Sequence, residues 1–124
     1  MEGYIALITE EGIEVVDITT CPNDTMLKAL YFLINCTTVE QIRLPNGCNL
    51  ICDENGIYST SQFVHRIKVD SLGDVDLVGN LVIVNSVEDE DGISWCTFDT
   101  PNEALQSVDL LGKREMYRRR TISK

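Results

Sequence analysis

The sequence predicts an α+β domain: a mainly antiparallel β-meander sheet with two short helices packed on it. Three observations carry this. Residues 39–44 and 48–52 alternate in side-chain character around Pro45-Asn46-Gly47, and Asn46 and Gly47 tolerate the positive φ that a tight hairpin requires. Two segments, about 25–35 and 100–111, repeat apolar residues at helical spacing behind capping residues. The uninterrupted apolar run Leu81-Val82-Ile83-Val84 marks a strand buried on both faces, and so the central one.

In order, Tyr4-Ile5-Ala6-Leu7-Ile8-Thr9 is a β-rich run, Glu10-Glu11-Gly12 turns it, and Ile13-Glu14-Val15-Val16-Asp17-Ile18 returns as the second strand of an opening hairpin. Pro22, Asn23 and Asp24 then break the chain and offer N-caps to a helix whose stripe is Met26, Leu27, Leu30, Leu33 and Ile34. A helix this short depends on packing its apolar face, so the stripe is assigned to the core. After the organising hairpin, Asp53-Glu54-Asn55-Gly56 turns the chain toward Ile57 and Tyr58. Residues 59–62 read as loop, and Phe63, His65, Ile67 and Val69 alternate with Val64, Arg66 and Lys68 as an edge strand. Residues 72–76 read as a further turn. Residues 87–92 read as an acidic loop leading to a strand over 93–98. Thr100-Pro101-Asn102-Glu103 is a capping box with proline at the first helical position, and Ala104, Leu105, Val108 and Leu111 follow before Gly112 as the stop.

A chain of 124 residues supports one core. Hydrophobic content of 44% and charged content of 24% are ordinary globular values, which argues against wholesale disorder. No apolar run approaches the roughly 18 residues needed to span a bilayer, and neither a secretory leader nor a lipidation motif is legible, so no membrane association and a cytoplasmic setting are expected. The cysteines at 21, 36, 48, 52 and 96 form an odd set and are expected as reduced thiols. Cys48 and Cys52 share a strand face but lie roughly 13 Å apart along it, too far to ligate one zinc.

Charge is distributed unevenly. The formal total is −10, but residues 1–112 hold nineteen acids against Lys28, Arg43, Arg66 and Lys68, about −15, whereas residues 113–124 hold six bases against Glu115, about +5. The expected division is an acidic α+β domain over 1–112 and a basic C-terminal tail over 113–124. The acidic body repels DNA and attracts basic protein surfaces.

Residues 39–111 resemble a family. IRLPNGCNLICDENGI, then DLVGNLVIVN, then a capped short helix follow an order similar to that of an uncharacterised small-protein family, a domain of unknown function carried by phages and mobile elements of bacteria. The chain departs from that pattern in lacking a proline-proline-asparagine step after Gly56. The resemblance implies a phage-borne accessory protein acting in counter-defence, by inhibiting or sequestering a host component, and implies no catalytic residues.

The chemistry agrees with a non-enzymatic protein. His65 has Ser59, Thr60 and Ser61 near it in sequence but no nucleophile-elbow or phosphate-loop pattern, leaving a small hydrolase as the alternative with least support. Four consecutive acids before Gly92 fail the calcium-loop pattern, because Val87 and Phe98 would fall on its first and last ligand positions. Asp74 and Asp76 are a candidate divalent-ion pair, set against ordinary turn chemistry. No metal or cofactor is assigned. Two binding readings follow. In the first, Glu88, Asp89, Glu90 and Asp91 dock against a host protein with a basic surface, one that binds nucleic acid or serves in defence. In the second, Lys113, Arg114, Arg118, Arg119 and Arg120 bind phosphate, sequestering a nucleotide signal.

Overall fold

The computed structural model describes residues 3–20, 25–59, 61, 63–69 and 72–118. The opening hairpin is β1 (Tyr4–Thr9) and β2 (Gly12–Asp17), paired from Tyr4↔Asp17 to Thr9↔Gly12. Helix α1 (Met26–Ile34) is capped by Thr25, whose Oγ1 accepts a hydrogen bond from the Lys28 N–H at 3.2 Å, and it stops at Asn35, which takes a left-handed conformation. The sequence-predicted caps Asn23 and Asp24 lie outside the described residues. Strands β3 (Val39–Arg43) and β4 (Asn49–Asp53) flank a turn in which Asn46 and Gly47 both have positive φ, as their chemistry predicts.

Strands β5 (Phe63–Val69), β6 (Gly73–Val78), β7 (Leu81–Asp89) and β8 (Gly92–Cys96) follow. Helix α2 (Pro101–Gln106) begins with the Thr100 Oγ1 accepting from the Glu103 N–H, and tightens into a 3-10 turn over Ser107–Leu111 that Gly112 ends. Strand β9 (Arg114–Arg118) is the last described element.

The larger sheet has the order β2-β1-β7-β4-β3, with β8 pairing β7, and every pairing is antiparallel. The apolar run in β7 is therefore central, between β1 and β4. Its alternate residues face opposite ways into two clusters. Val82 and Val84 join Ile5, Leu7 and Ile51 beneath Ala29, Leu30 and Ile34 of α1. Leu81 and Ile83 join Ala6, Ile8, Leu50 and Cys52 beneath Ile67 and Val69 of β5 and Ala104, Val108 and Leu111 of the α2 region. The two helices thus cover opposite faces, and the antiparallel sheets with two helices make an α+β fold.

The second sheet, β6-β5-β9, corrects three expectations. Strand β5 is its middle strand rather than an edge, because β6 and β9 take its two sides. Residues 73–76, expected as turn, are strand in β6: the turn closes just before them, with the Leu72 N–H donating to the Val69 carbonyl at 3.0 Å. Residues 114–118 show no alternation and are exposed throughout, yet they pair with the otherwise open side of β5, an edge that needs a partner. Elsewhere, residues 87–89 extend β7 instead of forming a loop, and only Glu90-Asp91 turns the hairpin. Among the described residues, no helix is long and apolar enough to cross a membrane.

Candidate functional site

Strand β7 outruns its sheet. Leu81–Val84 pair with β1 and β4, whereas Asn85–Asp89 pair with β8, from Asn85↔Cys96 to Asp89↔Gly92. The outer half of the hairpin is therefore a two-stranded ribbon. Its root is fixed by the Trp95 Nε1–H donating to Gln41 Oε1 at 2.5 Å and the Ser86 hydroxyl donating to the Gly47 carbonyl at 2.5 Å. Its tip carries Glu88, Asp89, Glu90 and Asp91, all exposed, with the Asp91 N–H donating to Asp89 Oδ1 at 2.8 Å. Val87 and Ile93 lie half-exposed beside them, 50% each. The four sequence-predicted acids are thus brought together on one projecting element, with Val87 on one face of it and Ile93 on the other.

The basic residues are divided. In the β5–β9 register Arg118 lies opposite Phe63, Met116 opposite His65 and Arg114 opposite Ile67, so Arg114 and Arg118 share the face that holds His65. Lys113 instead lines a separate hollow with Arg66, Lys68, Asp74 and Glu115. Arg118 pairs with Glu10 of the β1–β2 turn, and Lys113 with Glu115 at 3.4 Å. Arg119 and Arg120 lie outside the described residues.

Asp74 and Asp76 do share a face, as alternation requires, but on a strand. Asp76 takes a bidentate pair from Arg66 at 2.8 and 3.0 Å and a hydrogen bond from the Tyr117 hydroxyl at 2.8 Å, and Arg66 lies 5.2 Å from the Tyr117 ring centre. The hydrogen bonds from Arg66 and Tyr117 hold the Asp76 carboxyl below its usual range. Asp76 is committed to fastening β9 and β6 across β5, and Asp74 faces Lys68 across the pair. Among the described residues no three His, Cys, Asp or Glu side chains are placed to hold a metal.

His65 is 2% exposed, where the sequence places it on a partly exposed edge strand; the pairing of β9 alongside β5 and the packing of that face bury it. Phe63 meets its ring edge-on at 5.4 Å, and neither ring nitrogen has a hydrogen-bond partner among the described residues. Burial first, and the Arg114 charge second, push its proton affinity down to about 4, so the ring is neutral near pH 7. A hollow of about 160 Å³ adjoins it, lined also by Thr9, Glu10, Glu11, Arg114 and Met116. Ser59 and Ser61 do not line it, and Thr60 lies outside the described residues. The signal that locates this site is the alternation that sets His65 on one face with Ile67 and Val69; Arg114 and Glu10 arrive by long-range pairing that no local pattern encodes.

Burial raises the described thiols, Cys36, Cys48 and Cys96 in direction and Cys52 up to about 12, so none is held as a thiolate near neutral pH. The Cys52 thiol donates to the Glu40 carbonyl at 3.7 Å.

A family model described as "Domain of unknown function (DUF3846)" matches residues 1–102. The match takes in β1, β2 and α1 as well as most of the region on which the resemblance rests, and it ends at the start of α2. No curated protein and no solved structure matches the chain.

Proposed function

We propose that this chain, which belongs to the DUF3846 family, is a non-enzymatic binding protein that docks its acidic β7–β8 ribbon against the basic surface of a protein that binds nucleic acid or serves in host defence. One observation carries the reading: Glu88, Asp89, Glu90 and Asp91 sit at the tip of a rooted, two-stranded projection from a body of about −15 formal charge. A strong field of one sign speeds encounter with its opposite, and the half-exposed Val87 and Ile93, one on each face of the ribbon, add apolar area that charge alone does not. Action in the cytoplasm of a host cell, a phage or mobile-element origin and a counter-defence role rest on the resemblance of residues 39–111. Capture of a nucleotide by the basic segment finds less support, since Glu10 engages Arg118 and Lys113 lines a different hollow from Arg114.

The experiment compares the wild-type chain with a Glu88→Gln, Asp89→Asn, Glu90→Gln, Asp91→Asn variant as baits in host lysate, followed by association kinetics with each captured protein. The expected partner is basic, is lost by the variant, and associates on the order of tenfold more slowly with it at low salt. Partners held equally by both baits, or association rates indifferent to salt, would sink the reading.

A further inference from the structure

The only histidine of the chain is buried with no hydrogen-bond partner for either ring nitrogen among the described residues, and a hollow adjoins it. A neutral imidazole has one N–H donor and one lone pair, and native structures rarely leave both unmet; such a group calls for water or a ligand. The adjoining hollow, about 160 Å³, has room for several waters or a small ligand. At the same hollow lies Arg114, which forms no ion pair among the described residues. Glu10, the acid that would otherwise neutralise it, is engaged by Arg118. Glu11 remains as a carboxylate on the rim, and its backbone N–H is turned to Thr9 Oγ1 at 3.2 Å.

A metal ion does not suit this lining, because a guanidinium stands beside the imidazole and no third ligand is in place. An oxygen anion does: a guanidinium offers paired donors to a carboxylate or phosphate, and a neutral histidine adds one more. We propose that the hollow between the β1–β2 turn and the β5–β9 pair binds a small oxyanion, a carboxylate or phosphate group, held by the Arg114 guanidinium and the His65 ring N–H. This site is independent of the acidic ribbon and stands or falls separately from it.

The test uses the full chain and the single histidine as its own reporter. Inorganic phosphate, acetate and chloride are titrated at matched ionic strength near neutral pH while the His65 ring-proton resonance is followed. A saturable shift with phosphate or acetate and not with chloride is expected, and the bound anion should raise the histidine's apparent pKa by stabilising its cation. Saturation by phosphate alone identifies a phosphate site, and by acetate alone a carboxylate site. Arg114→Gln, at an exposed position of an edge strand, should weaken binding about tenfold while circular dichroism stays unchanged. The absence of a saturable shift with both anions overturns the proposal, and so does a shift of equal affinity in the Arg114→Gln variant.

Discussion

His65 shows how one residue ties local pattern to stability. Its folded-state proton affinity is lowered from 6.5 to about 4, so between those values the unfolded chain binds the proton that the folded chain refuses. Folding stability linked to this residue is therefore complete above about pH 6.5 and lost as pH falls toward 4. The loss is on the order of 2 kcal/mol, below what the full shift implies because the hollow admits solvent on one side. Urea denaturation of the wild type and of His65→Gln across that window checks it: subtracting the variant removes the carboxylate titrations, and a difference that stays flat with pH contradicts the burial argument. Alternation alone groups His65 with Ile67 and Val69. That it has no hydrogen-bond partner among the described residues depends on what packs against it.

Among the elements, β1 is tied at its N-terminal end by two neighbouring segments. Tyr4 exchanges backbone hydrogen bonds of 2.9 and 2.8 Å with Phe98, and Gly3, just before it, accepts from the Ile18 N–H at 2.9 Å. Gly3 has φ +120°, and a Cβ there would collide with Thr97 Oγ1 and the Phe98 carbonyl. Gly3→Ala should therefore cost about 2–4 kcal/mol, combining overpacking with backbone strain. Gly12 also has positive φ but nothing within 4 Å of such an atom, so Gly12→Ala should cost about 1 kcal/mol. Chemical denaturation of the pair separates collision from strain, and equal costs would show that the close approach is relieved without penalty. The β1–β2 hairpin, the β3–β4 hairpin with its Asn46-Gly47 turn and the capping-box start of α2 are legible because each is decided within a few residues, whereas the cap of α1 is Thr25 and not the Asn23 or Asp24 that the sequence offers. Strand β6 is not: Gly73, Asp74 and Asp76 have turn chemistry, and the pairing of β6 along β5 with the packing of Val75 and Leu77 against the core overrides it.

For the whole molecule, the dominant physical property is like-charge repulsion at a formal net charge of −10. Added sodium chloride shortens the Debye length from about 30 Å at 0.01 M to about 8 Å at 0.15 M, so the melting temperature should rise by a few degrees over that range. A scan by circular dichroism reads this directly, and a falling melting temperature would mean that favourable ion pairs such as Arg118–Glu10 outweigh the repulsion. Sodium phosphate at the same ionic strength should raise it further if the hollow at His65 is filled.

The sequence by itself determined the α+β class, the hairpins, the capped helices and the doubly buried β7, because hydrophobic period, caps and turn residues act over neighbouring positions. The tertiary structure decided the strand order around β7, the second sheet completed by β9, the projection of the acidic ribbon and the burial of His65 beside Arg114. Those features arise where segments distant in sequence meet, and they depend on which open edge and which apolar face each segment covers.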